Sequence, residues 1–321
     1  MRRLIAAFLF AMSAFAGHAV AQSFPDRTIT LINPYAAGGP ADLLARTVAD
    51  GMSETLGRPV VVENRPGAGT AIGARAAAQA SPDGYTLFLG GSPSHVIAPA
   101  LMKDANYDGI KDFTPITTVA NVPNMLVVPP SRPYRSVKEL VAAAKDANGR
   151  MTFASIGVGS IPQFLGVLLQ LRAGVTLVEV PYKGAAPAAV DLMGARIDMA
   201  FLNVPGALPQ VQSGQLRALA VADAKRAKAL PNTPTMAEEG YPSVAMSTWY
   251  GISAPAKTPR EVVDKLYAAI AQALNSPKAR EKIEAQGAEI FLKKPDDYAA
   301  YLQADAKLMM ELIRAAQITA N

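Results

Sequence analysis

The chain has 321 residues, a formal net charge of +5 and no cysteine. A charge this small, without a basic cluster, argues against a nucleic-acid-binding protein. The absence of cysteine excludes thiolate catalysis and thiolate metal sites. Half of the residues are hydrophobic, which is ample for sizeable cores, and a chain of this length is expected to fold as two domains.

The first 21 residues have the organisation of a secretory signal peptide. Arg2 and Arg3 are followed by an apolar run of about 12 residues, which is shorter than the roughly 20 residues needed to span a bilayer. The segment 19–21, Ala-Val-Ala, is typical of a cleavage site. We therefore expect cleavage after Ala21 and a periplasmic protein. A retained membrane anchor is the alternative.

The stretch from residue 28 to residue 48 organises the mature chain. Alternating β-forming residues lead into a glycine-rich segment and then into an amphipathic run, which predicts strand, loop and helix. Gly38 and Gly39 would let a ligand approach the backbone, and Pro40 suits the first helical turn. Backbone N–H groups and the positive end of the helix dipole would meet there, so the loop favours an anion.

Strands and helices alternate along the rest of the chain, which predicts mostly parallel sheets flanked by helices. A second strand, glycine loop and helix follow at residues 151–171. The pattern crosses from one series to the other near residue 122 and returns near residue 250. We therefore expect two α/β lobes, formed by 22–122 plus 250–321 and by 123–249. The ligand cleft would lie between them, with closure by a hinge motion.

Eight segments, in order, resemble the substrate-binding receptors of tripartite tricarboxylate transporters, also called the Bug family. The resemblance implies a two-lobed periplasmic binding fold of the type II, Venus flytrap kind, a small carboxylate ligand and no enzymatic activity. It also implies delivery of the ligand to a membrane permease of one large and one small subunit. We expect a monomer without a cofactor. The segments are PYAAGGPAD, VVVENRPGAG, SPDGYTLFLG, ASIGVGS, VPYKGAAPA, LRALAV, LPNTPTMAEEGYP and STWYGISAPA.

In that family, two glycine loops hold the ligand carboxylate, often through ordered water. Hydroxyl and amide groups at other strand ends could add to them, although ordinary turn chemistry is the alternative for Ser92, Ser94 and Asn203. Tyr35 could either cover the ligand or pack against the hinge. The expected ligand-binding residues are Tyr35, Ala36, Ala37, Gly38, Gly39, Ser92, Ser94, Ser155, Gly157, Gly159, Ser160, Gln163 and Asn203.

The chain departs from the family pattern at two positions. Gln163 stands where the family often has a histidine, and Leu202 stands where it often has an acid. We expect both positions to tune the pocket. Leu202 would remove an acceptor for an ammonium group and, with Ile156 and Val158, would favour hydrocarbon in the ligand. A small mono- or dicarboxylate is therefore expected rather than an amino acid.

Other signals point to structure rather than to chemistry. The segment 67–73 lacks the GxGxxG spacing of a dinucleotide loop. His95 is the only histidine after the signal peptide, so a histidine metal cluster is excluded, and no GxSxG elbow precedes it. We expect His95 to cap or pack, and Trp249 to be a buried hinge aromatic.

Two alternatives to a transport receptor stay open on the sequence. The same scaffold could serve as the ligand-sensing partner of a membrane signalling protein. An exported hydrolase is the other alternative.

Overall fold

The structure is a computed structural model that describes residues 24–156, 159–182, 184–285 and 287–315. The predicted signal peptide and its cleavage site lie outside these ranges, as do Gly157, Val158 and Lys183. No helix within the described ranges is both long enough and apolar enough to cross a bilayer.

The first sheet has six strands and follows the order β11-β4-β10-β3-β1-β2. These are β1 (Ile29–Asn33), β2 (Val60–Asn64), β3 (Thr86–Gly90), β4 (Phe113–Val122), β10 (Thr248–Pro255) and β11 (Glu289–Ile290). Strand β1 runs parallel to β2 and β3. Helix α1 (Pro40–Leu56) connects β1 with β2, and α2 (Ala71–Ala78) connects β2 with β3. Parallel strands need such crossover connections. A π-helical turn (Pro93–Ile97) and α3 (Ala98–Leu101) follow β3.

The second sheet has five strands in the order β7-β6-β8-β5-β9. These are β5 (Asn124–Val128), β6 (Thr152–Ser155), β7 (Val178–Pro181), β8 (Met199–Asn203) and β9 (Arg217–Val221). Strand β6 is parallel to β7 and β8. The helices of this half are α4 (Val137–Asp146), α5 (Ile161–Ala173), α6 (Ala185–Met193) and α7 (Val204–Gln212).

The two-lobed α/β fold is confirmed, but each sheet is mixed rather than mostly parallel. In the first sheet β10 is antiparallel to β3 and β4, and β11 is antiparallel to β4. In the second, β5 is antiparallel to β8 and β9. The alternation of buried and exposed residues along a sequence does not reveal the direction of a strand. The strands β5 and β10, which follow the two passages of the chain between the sheets, run antiparallel to their neighbours. The lobe boundaries near residues 122 and 250 stay a prediction.

The remaining helices are α8 (Arg260–Asn275), α9 (Pro277–Glu284) and α10 (Pro295–Ala315). Helix α1 is amphipathic, and its buried face includes Leu44, Val48 and Met52. Gly51 lets it approach α8 closely, because a Cβ at that position would lie 2.5 Å from the Cβ of Ala273. This packing fixes α1, and therefore the loop before it, against the first sheet.

Helix α10 packs against both sheets. Near its start, Tyr298 and Leu302 form a cluster with Trp249 of β10. Further along, Met309 and Leu312 belong to the core of the second sheet. The helix therefore connects the two halves of the molecule on the side where the chain crosses between them.

His95 and Trp249 are buried in an aromatic cluster, which confirms both as packing residues. Their rings stack at 6.3 Å between centroids, and Nδ1 of His95 lies 2.6 Å from the carbonyl oxygen of Gly109. Burial lowers the pKa of His95 to about 4, although the Gly109 contact opposes this shift. The ring is therefore neutral at physiological pH.

Asp305 brings a carboxyl group to the edge of this cluster. The residue is half-buried on α10, and its Oδ2 is shielded from solvent. Burial raises the pKa of Asp305 to about 6, and the nearby Ser92 hydroxyl and Trp249 indole only partly oppose it. A carboxyl group whose pKa is raised in the native state destabilises that state when it ionises.

We expect Asp305→Asn to raise the free energy of unfolding above pH 6 by roughly 1–3 kcal/mol. The gain should disappear below about pH 4, where the carboxyl is protonated in both the native and the unfolded state. Urea unfolding of both proteins at pH 4, 5.5 and 7.5 measures this difference. Glu311→Gln, an exposed change on the same helix, is the control. A gain that is the same at all three pH values would contradict this account.

Candidate functional site

The first glycine loop leaves β1 and begins α1. Gly38 has φ 82, a left-handed conformation that favours glycine. Gly39 is the N-cap of α1 with φ −83 and ψ 173, an extended backbone conformation that any residue can adopt. Ala36, Ala37 and Gly38 are exposed. Among the described residues, the N–H groups of Ala36, Ala37 and Gly39 have no hydrogen-bond partner.

Tyr35 packs against the strand that returns from the second sheet. Its ring meets that of Tyr250 edge to face, with 5.9 Å between centroids. Burial raises the pKa of Tyr35 well above its usual range and that of Tyr250 to about 12. Both phenols therefore stay neutral and keep their O–H donors.

Asp42 is a buried acid in the first turn of α1 that the sequence analysis did not single out. The N–H of Gly38 donates to Oδ2 at 2.9 Å, Arg46 Nε donates to the same oxygen at 3.0 Å, and Asn64 Nδ2 donates to Oδ1 at 2.9 Å. Burial would raise the pKa of Asp42, but these donors hold it at about 2. The sequence contained a related signal, since a polar side chain at the third helical position can reach back to a backbone N–H at the start of the helix.

Gln163 fixes the second glycine loop, which ends at Ser160. Its Oε1 accepts the N–H of Gly159 at 2.8 Å, and its Nε2 donates to Oε1 of Glu179 at 2.8 Å. Ser160 is the N-cap of α5 and accepts from the N–H of Gln163. The amide of Gln163 is therefore committed within its own lobe and orients the loop. Gly157 lies outside the described residues.

Three of the serines predicted to bind the ligand, namely Ser92, Ser94 and Ser155, are buried. Ser94 exchanges hydrogen bonds with the backbone of Gly91 at 3.0 and 3.1 Å, and Ser92 lies beside Asp305. Ser155, at the end of β6, has no exposed surface, and its Oγ has no hydrogen-bond partner among the described residues. The hydroxyl of Ser94 thus completes a local turn, whereas that of Ser155 keeps its hydrogen-bonding capacity.

Asn203 stands at the end of β8, where both sheets meet. Its Nδ2 donates to Oδ1 of Asn124 at 2.9 Å and to Oγ1 of Thr248 at 3.1 Å. Asn124 Nδ2 is itself committed to the carbonyl oxygen of Met246, which fixes the direction of the bond between the two amides. Both N–H groups of Asn203 are therefore used, and the atom left to a ligand is Oδ1, an acceptor.

A cavity of about 200 Å³ lies between the two halves of the molecule. Most of its wall is apolar, and none of its lining residues carries a charge. The lining residues are Pro40, Leu44, Val122, Ala185, Asn203, Pro205, Gly206, Tyr250, Ile283 and Ala288.

The first turns of three helices contribute to this wall, namely those of α1, α6 and α7. Their N-caps are Gly39, Gly184 and Asn203, and none of these supplies a side-chain cap. By contrast, Ser136 and Ser276 cap α4 and α9.

The charge of Asp42 at α1 is paired with that of Arg46. At α7 the N–H of Val204 already donates to the carbonyl oxygen of Pro123 at 2.9 Å, and Pro205 has no N–H. The N–H groups that an anion could use therefore lie at the starts of α1 and α6.

Of the thirteen predicted residues, Asn203 lines this cavity, and the first glycine loop reaches it through the adjoining Pro40. The second loop meets a different part of the first lobe, where a Cβ on Gly159 would lie 2.6 Å from Ile97. Leu202 is only 1% exposed and belongs to the core beneath β8. The expectation that Leu202 tunes the pocket is therefore wrong, because the alternation of the strand turns its side chain away from the cleft.

The sequence model described as "Tripartite tricarboxylate transporter family receptor" matches residues 44–318. The chain belongs to this family. It is 36% identical over 317 residues to the protein BugT of Bordetella pertussis, covering 98% of this chain and 97% of that protein.

Two solved structures of similar proteins agree with this assignment. The periplasmic binding protein BugD is 36% identical, with a TM-score of 0.75 over 93% of this chain and 100% of that chain. The R. palustris protein Rpa4515, solved with adipate, is 33% identical, with a TM-score of 0.79 over 92% of this chain and 99% of that chain. The receptor of a tripartite tricarboxylate transporter is a periplasmic solute-binding protein and not an enzyme, so both of these predictions are confirmed.

Asp42→Asn should lower the free energy of unfolding at pH 7 by about 1.5–3 kcal/mol, the usual range for hydrogen bonds to a charged group. Since its native pKa lies below the unfolded value, the loss should shrink as the pH falls from about 4 towards 2. Urea denaturation measures both trends. Asp50→Asn, an exposed change on the same helix, should have little effect. Equal stability of wild type and Asp42→Asn at pH 7 would refute this role.

Proposed function

We propose that this receptor captures a small carboxylate between its lobes and delivers it to a membrane permease of one large and one small subunit. The observation that carries the proposal is the inter-lobe cavity, where the uncapped first turns of α1 and α6 face an otherwise apolar space. A helix N-terminus presents N–H groups and a partial positive charge, which together favour an anion.

A carboxylate suits this cavity better than a cation does. No acidic side chain lines the wall, so a buried ammonium group would lack a charged partner at considerable cost. Backbone N–H groups, in contrast, can neutralise a carboxylate without a basic residue. The adipate bound by the similar R. palustris protein supports the same class of ligand.

The predicted ligand contacts remain part of the proposal. Gly39 is the best supported in the first loop, because its N–H has no partner among the described residues and Pro40, which follows it, lines the cavity. In the second loop, Ser160 keeps its hydroxyl hydrogen after capping α5, and Ser155 has an unused hydroxyl. Asn203 would accept a hydrogen bond from the ligand or from a bridging water. We also propose that the receptor works as a monomer.

Mass spectrometry of what co-purifies with the exported protein tests the proposal directly. We expect an organic acid, and we expect calorimetry with that acid to give a one-to-one complex in the presence of a chelator. A protein that retains an amine or a nucleotide, and binds no organic acid, would contradict the proposal.

Gly39→Val should weaken binding of the co-purified acid at least tenfold, because the branched side chain would stand between the loop N–H groups and the ligand. The fold should persist, since φ −83 is open to valine and a Cβ would meet nothing closer than 3.7 Å. Calorimetry and thermal unfolding measure the two effects. Gly194→Val is a matched control with φ −76 at the C-cap of α6. Wild-type affinity in Gly39→Val would exclude the first loop from the site.

The mature protein should begin at Gln22. Intact-mass measurement of protein from the periplasm checks this start. Material that retains residues 1–21 would instead indicate a membrane anchor.

A further inference from the structure

A side chain of the neighbouring strand fastens the first glycine loop. Asn64 is the last residue of β2, at the edge of the first sheet. Its Nδ2 donates to the carbonyl oxygen of Tyr35 at 3.0 Å and to Oδ1 of Asp42 at 2.9 Å. Its Oδ1 accepts from Nη2 of Arg46 at 3.2 Å. Because a guanidinium only donates, and carbonyl and carboxylate oxygens only accept, the orientation of this amide is fixed.

The loop is thereby held at two points. Asn64 holds the carbonyl of Tyr35 at its start, and Oδ2 of Asp42 accepts the N–H of Gly38 near its end at 2.9 Å. Three N–H groups of the loop have no hydrogen-bond partner among the residues that the structure describes; they belong to Ala36, Ala37 and Gly39. The network therefore fixes the loop without using these three donors.

The loop has little else to order it in the free protein. Ala36, Ala37 and Gly38 are exposed and have small side chains or none, so packing contributes little. Fixing the backbone of one residue only when a ligand arrives lowers the affinity roughly 5- to 30-fold. A loop that is already held in its binding arrangement avoids this loss.

We propose that Asn64 is a positioning residue for ligand binding. It acts through Tyr35 and Asp42, and keeps the three free N–H groups of the first loop in the arrangement that receives the carboxylate of the ligand. This inference rests on the proposed function and adds to it a residue outside the loop. The competing account is that the network stabilises the fold and has no effect on binding.

Asn64→Ala removes both donors and tests the proposal. Wild-type receptor is first titrated in a calorimeter with adipate, malate, benzoate and hexanoate, and the acid that binds most tightly is used for the variants. We expect Asn64→Ala to bind it at least tenfold more weakly, because the ligand must then order the loop. Asn275→Ala, the same change at an exposed position in α8, is the control and should bind within twofold of wild type.

The outcomes separate this inference from the proposed function. Binding by Asn64→Ala within twofold of wild type would overturn the inference and leave the proposed function standing. If wild type binds none of the four acids, both fail. Thermal unfolding of each variant reports whether it is folded. If Asn64→Ala is not, Asn64→Ser, which keeps a short polar group at the end of β2, takes its place with the same expectation.

A spectroscopic signature distinguishes positioning from stability alone. The receptor is labelled with [15N]glycine, and the amide signal of Gly39 is assigned by its loss in Gly39→Ala. In wild type, saturating acid should shift this signal. In Asn64→Ala, the shift at saturation should fall to less than half or the signal should broaden, because the loop is no longer held against the ligand. A shift equal to that of wild type would show that Asn64 acts on stability only.

Discussion

The chain crosses between its two sheets twice, and the side-chain amide of Asn124 holds both crossing segments together. This side chain has no exposed surface, donates to the carbonyl oxygen of Met246 at 3.0 Å and accepts from Asn203 at 2.9 Å. Asn203 also donates to Thr248. Because a buried amide that loses its partners costs about 1–3 kcal/mol each, the outgoing strand β5, the strand β8 and the returning strand β10 stay together. The base of the cleft is therefore fixed.

The aromatic cluster that contains His95 and Trp249 favours the uncharged forms of the titratable groups buried in it. Burial moves the pKa values of His95 and Asp305 in opposite directions, to about 4 and about 6. His95 contributes stability that is present above about pH 6.5 and is lost as the pH falls towards 4. Asp305 contributes stability that is present below about pH 4 and is lost as the pH rises through 6. The two trends oppose each other across the same range, so the junction between α10 and the sheets resists changes of pH better than either group would alone.

The sequence predicted the features that depend on neighbouring residues. The glycine loops, the strand–helix order and the packing roles of His95 and Trp249 all follow from local pattern and composition. The mixed direction of the sheets does not, since it depends on pairings such as that of β10 with β4, whose residues lie more than 120 positions apart. The same reason explains why the sequence did not reveal the hydrogen bonds of Asn203 or the burial of Asp305. Their partners come from distant segments, so the commitment of one amide and the burial of one carboxyl could not be predicted from the chain.

A cavity lined from both halves of the molecule would couple the capture of a ligand to closure of the lobes. Leu44 and Ile283 lie on one side and Ala185 and Pro205 on the other, so a ligand would contact both only when the two sides are close together. A ligand shifts a conformational equilibrium by its difference in affinity for the two states. The contacts that exist only in the closed arrangement would supply that difference.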